Sequence, residues 1–69
     1  MKIKYFQDTD TDTDTLYIEF RAEPVAETRD LDENTLLDID DKGNIVAITV
    51  EHARDRAEFP YFSFEQIAA

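Results

Sequence analysis

From Met1 to Tyr5 apolar and basic side chains alternate, with Met1, Ile3 and Tyr5 on one parity and Lys2 and Lys4 on the other, the period of a strand with two unlike faces. Residues 7–15 read QDTDTDTDT. Four aspartates at alternate positions repel one another in a regular element, and Asp and Thr side chains favour local turns, so this segment is expected to be a loop. Alternation resumes at Leu16–Phe20, which places Leu16, Ile18 and Phe20 opposite Tyr17 and Glu19, as in a half-buried antiparallel strand that Pro24 ends or borders. Val25–Leu31 is short and polar, suited to a sheet edge.

A further strand is expected at Leu36–Asp40, followed by a turn at 41–44 whose Gly43 can take the positive φ of a short hairpin. Ile45–Val50 is apolar on both parities and rich in β-branched residues, the pattern of a central strand covered on both faces. The candidate cover is the carboxyl-terminal segment. Ser63 and Gln66 have the spacing of a capping box, with Phe62 and Ile67 placed for a hydrophobic staple; alternatively Phe62 and Phe64 flank Ser63 in another strand. The polar run between Glu51 and Glu58 permits one or two helical turns at most. The resulting fold class is α+β: a small, mainly antiparallel sheet of four or five strands with one short C-terminal helix, in a single domain over 1–69.

Charge narrows the partners. Seventeen acidic residues against seven basic ones leave a net charge of -10, which disfavours nucleic acid and anionic membranes and favours a basic protein. No apolar run approaches the roughly 20 residues of a membrane helix, and Met1–Phe6 holds two lysines but no signal-peptide stretch, so a cytoplasmic location is expected. Sixty-nine residues without a cysteine have neither a disulfide nor a thiolate metal site to reinforce a small core, which makes self-association, as a homodimer, a natural way to gain stability.

Catalytic chemistry finds little support. One histidine, one serine and no cysteine leave His52 and Ser63 as the sole ingredients for acyl transfer, and both read more simply as a surface histidine and a capping serine. Gly43 is the only glycine, so no phosphate-cradling loop can form. Asp8, Asp10, Asp12 and Asp14 alternate as oxygen ligands do in calcium loops, with Glu19 at the twelfth position, but Thr13 occupies the place of the required glycine and Glu19 lies in a strand. They are weak metal candidates, and no cofactor and no catalytic residue is expected. Phe6, Tyr17, Phe59, Tyr61, Phe62 and Phe64 exceed what one small sheet face can bury, which suggests an interface, although Phe62 and Phe64 serve equally well as core between the sheet and the terminal segment.

The order of these segments also resembles a known family. Met1, Lys2, Ile3 and Tyr5, then Asp14, Leu16, Tyr17 and Ile18, then Glu27, Asp38, Asp40, Gly43 and Ile48 match the pattern of the YuzE-like family of small bacterial domains of unknown function. The resemblance spans residues 1–51 and leaves 52–69 as a C-terminal extension. Ala47 stands where such proteins usually have glycine, and TDTDTDT replaces a more varied loop. The resemblance implies a mainly antiparallel β domain with no catalytic residue, and pairing with small toxin-like proteins, hence an antitoxin-like role. The expected function is a non-catalytic interaction module for a basic partner, with Tyr17, Asp30, Asp32, Glu33, Phe59 and Tyr61 as binding candidates; the alternative is a carboxylate-based divalent-metal-binding protein or orphan enzyme.

Overall fold

Both amino-terminal alternating segments form strands, and they pair directly as a hairpin. The computed structural model describes residues 1–11 and 13–68, with β1 at Lys2–Asp8, β2 at Thr13–Glu19, β3 at Glu27–Asp32, β4 at Thr35–Ile39, β5 at Ile45–Glu51 and a single-turn helix α1 at Ala53–Arg56. Every pairing is antiparallel, in the order β1-β2-β5-β4-β3, so β5 is central and β3 is an edge, as its polar sequence requires. The five-stranded sheet and one short helix agree with the expected architecture.

The register sorts side chains into two faces, since directly opposed residues of paired strands project to the same side. One face carries the rows Ile3–Ile18–Ile48–Leu37–Arg29 and Tyr5–Leu16–Val50–Thr35–Asp32. The other carries Lys4–Tyr17–Thr49–Leu36–Asp30 and Lys2–Glu19–Ala47–Asp38–Thr28. Helix α1 lies on the first face, because the Arg54 N–H donates to Asp14 beside Leu16, the Phe59 ring packs on Tyr5, and the Arg56 guanidinium donates to the Thr35 hydroxyl. Among the described residues the buried hydrophobic ones are Leu16, Ile39, Val46, Ala47 and Ala53.

Three expectations are corrected. The Asp-Thr segment is a loop only at its tip: Gln7 and Asp8 belong to β1 and Thr13–Thr15 to β2, because the β-branched threonines suit an extended chain and Asp14 turns its charge into a satisfied niche. The helix lies at Ala53–Arg56, whereas Ser63–Gln66 is neither helix nor strand, and Phe62 and Phe64 are exposed instead of filling a core. Such a short segment has too few hydrogen bonds to nucleate a helix away from a packing surface. The cover over β5 is likewise partial: Val46 and Ala47 are buried, but Ile48, Thr49 and Val50 are half-buried. The hairpin turn is as expected, with Gly43 at φ 85°, its N–H donating to the Asp40 carbonyl (3.2 Å) and the Asp40 N–H to that of Asn44 (2.9 Å).

This thin construction leaves an open shape. The radius of gyration is 13.5 Å, against about 11 Å for a compact domain of this length. The accessible surface is 5551 Å², against about 4,450 Å² for a compact monomer of this mass.

Candidate functional site

Asp14 is the buried charge around which the carboxyl-terminal end is built. Its Oδ2 accepts the Tyr5 hydroxyl (2.7 Å) and the Arg54 backbone N–H (2.9 Å), with the Arg54 Nε at 3.8 Å. Its carbonyl accepts the His52 N–H (2.8 Å). His52 adopts a left-handed conformation (φ 55°, ψ 47°) that turns the chain from β5 into α1 and offers no side-chain cap, so the distant Asp14 serves as the helix's capping carboxylate. Burial pushes the Asp14 carboxyl up, but the Tyr5 hydroxyl, the Arg54 N–H and the positive charges of Arg54 and His52 outweigh it and hold the group below its usual range. Burial, reinforced by the bond to Asp14, raises the Tyr5 phenol. Among the described residues no buried side-chain nitrogen or oxygen lacks a partner, so the Asp14 niche offers no idle acid or base.

The remaining aspartates of the segment do different work. Asp8 Oδ1 accepts the N–H groups of Asp10 (3.0 Å) and Thr11 (3.4 Å), closing the hairpin tip, and the hydroxyl and amides there lower its carboxyl. The structure thus directs Asp8 into the turn and Asp14 toward Tyr5 and α1; Asp10 is exposed in the turn, and Asp12 lies outside the described residues. Among the described residues no group of three or more His, Asp or Glu side chains comes together to hold a metal ion. His52 sits at the β5–α1 junction and Ser63 in the exposed tail.

A groove of about 530 Å³ lies where the β2–β3 crossing passes the β4–β5 turn, lined by Arg21, Pro24, Val25, Asp40 and Lys42 among others. Asp40 accepts the N–H groups of Lys42 (2.9 Å) and Asn44 (2.8 Å) and faces Arg21 Nη1 at 3.8 Å. The Asn44 amide first, then that of Lys42 and the Arg21 charge, lower its carboxyl against the effect of burial. These are the bonds of a braced turn.

Of the six binding candidates, the acidic three gather at the β3 edge. Asp30 and Glu33 are exposed, whereas Asp32 is engaged: it accepts the Asn34 N–H (2.8 Å) and pairs with Arg56 at 3.0 Å, which ties the end of α1 to the edge strand. Glu27 and Arg29 pair along β3 at 2.9 Å, and Leu31 is 58% exposed. Tyr17 lies half-buried on the face away from α1. Phe59 packs on Tyr5 with ring centroids 4.7 Å apart, and Phe62 stacks on Phe59 at 5.7 Å, while Tyr61 is 84% exposed.

What the sequence pattern alone misses is the row Ile3–Ile18–Ile48–Leu37 running across four strands beside α1. Strand parity assigns each residue a face, but only the strand order brings the four together. Ile3 is 42% exposed and the other three are half-buried, so the row is an aliphatic strip open to solvent between the helix-covered row and the β4–β5 turn.

No helix among the described residues is long and apolar enough to cross a membrane. Residues 2–54 match a family described as protein of unknown function (DUF2283). No curated protein and no solved structure matches the chain.

Proposed function

The chain belongs to the DUF2283 family of proteins of unknown function, and on that footing we propose that it is a non-catalytic binding module for a basic protein partner. The observation that carries this reading is the open aliphatic row Ile3–Ile18–Ile48–Leu37 on a chain of net charge -10. Apolar side chains of a partner gain free energy on covering the row, and cations around its periphery meet Glu33 and the other surface carboxylates. Steering by the acidic surface sets the rate of encounter, and burial of the row sets the residence time. Toward a toxin-like protein this is antitoxin action: carboxylates occupy the places that phosphates would take on the partner's cationic surface.

The test is capture of a basic partner by the tagged protein, followed by titration of the purified pair at increasing salt. Association is expected to slow as salt rises, and Ile3→Glu, on an exposed edge position, is expected to weaken binding about tenfold or more by placing a charge in the apolar contact. A partner that is acidic, or binding untouched by both salt and Ile3→Glu, refutes the proposal.

A further inference from the structure

We infer that the face opposite α1 is a homodimer interface, in which two copies of the sheet pack about a two-fold axis parallel to the strands. The inference uses the other side of the sheet from the aliphatic row and does not rest on the proposed partner. Its basis is one complete cross-strand row, Lys4–Tyr17–Thr49–Leu36–Asp30, with a cation at one end, an anion at the other and a half-buried centre.

A two-fold axis parallel to the strands reverses the strand order without moving the row along the strands. It lays β1 over β3 of the second copy, β2 over its β4, and β5 over its own mate. Lys4 then faces the second copy's Asp30, Tyr17 faces Leu36, and Thr49 faces Thr49 on the axis. Both ends of the row carry the charge pair, so each dimer gains two Lys–Asp contacts and two Tyr–Leu contacts. In the neighbouring row Glu19 faces the second copy's Asp38, and Lys2, facing its Thr28, is the cation beside that carboxylate pair. Phe6, 55% exposed on the same face, extends the apolar area.

The placement of charge along the row favours a second copy as the occupant. The face carries Glu19, Asp30 and Asp38 beside Lys2 and Lys4, and the exposed Lys4 and Asp30 stand two strands from β5 on either side, so a two-fold axis along β5 brings each onto the other.

Sedimentation velocity on the intact protein, from low micromolar concentration to about 300 μM, tests the inference. A reversible dimer with a micromolar dissociation constant is expected. Lys4→Glu and Asp30→Lys alone should each weaken it about 100-fold, and the two together should restore it to within about tenfold of the original protein. Thr49→Arg, which sets two cations on the axis, should leave a folded monomer by circular dichroism. A wild-type protein that stays monomeric throughout, or a dimer that the single charge reversals and Thr49→Arg leave intact, or a double reversal no better than the singles, overturns it.

Discussion

Removing the Asp14 carboxylate is the sharpest test of how the terminal helix is held. The group accepts two hydrogen bonds at 2.7 and 2.9 Å in a buried niche, so Asp14→Ala leaves the Tyr5 hydroxyl and the Arg54 N–H without a partner and α1 without a cap. Hydrogen bonds to charged groups are worth about 1.5–3 kcal/mol each, but they are not additive, which places the loss near 3 kcal/mol. Against a total stability of about 3–10 kcal/mol for a domain of this length, that is a third or more of the whole. Tyr5→Phe removes one donor and keeps the ring that Phe59 covers, so it should cost about 1.5 kcal/mol, the lower end of that range. Urea unfolding followed by circular dichroism measures both, and the double mutant closes a thermodynamic cycle. A coupling near 1 kcal/mol between the two sites is expected. Asp14→Ala costing under about 1 kcal/mol, or a coupling of zero, refutes the view that this bond network anchors the helix.

Other consequences are independent of that network. Gly43 sits at φ 85° with open space where a Cβ would go, so Gly43→Ala should cost only the left-handed penalty of about 1–2 kcal/mol, seen as a fall of several degrees in the melting temperature; an unchanged melting temperature contradicts the turn geometry. Phe59→Ala removes the ring sandwiched between Tyr5 and Phe62 and should cost about 2 kcal/mol; Phe62→Ala, at the exposed end of the stack, should cost clearly less, and equal losses contradict that order. Stability should also fall at both ends of the pH scale. Asp8, Asp14, Glu27, Asp32 and Asp40 all have carboxyls below their ordinary range in the folded protein, so their contribution is present above about pH 4 and lost as pH falls below it. The Tyr5 phenol is shifted the other way, so its contribution is present below about pH 10 and lost as pH rises through the higher folded value. Urea midpoints that do not move below pH 4 contradict the carboxylate part.

The strands and the Gly43 turn were legible because each is a local pattern: period-two alternation in Met1–Tyr5 and Leu16–Phe20, a β-branched run in Ile45–Val50, one glycine between lysine and asparagine after two aspartates. The role of Asp14 was not, because it depends on contacts with Tyr5, nine residues away, and Arg54, forty residues away. In the sequence it is one of four equivalent aspartates; only the β1–β2 register, which sets Tyr5 beside Leu16, gives it a different environment from Asp8. The helix position was ambiguous for a related reason. The capping-box spacing at Ser63 is a local signal with no surface to pack on, whereas the weaker ARDR segment meets Asp14, Thr35 and Asp32 and is stabilised by them. Asp32 was likewise grouped with Asp30 and Glu33 by sequence, although its pairing with Arg56 gives it a structural task.

The arrangement of the two faces explains why so lightly buried a chain keeps a defined sheet. Each of the three inner strands has hydrogen-bonded neighbours on both sides, so the ladder saturates most of the backbone even though few side chains are fully enclosed. Two rows remain only partly covered, the aliphatic one beside α1 and the charge-ended one opposite it. Covering either adds stability by mass action, so the melting temperature should rise with protein concentration if copies pair through the Lys4–Asp30 row. Lys4→Glu should flatten that dependence while leaving the dilute melting temperature near its original value, because Lys4 is exposed in the single chain. A melting temperature equally concentration-dependent in both proteins would assign the pairing to another surface.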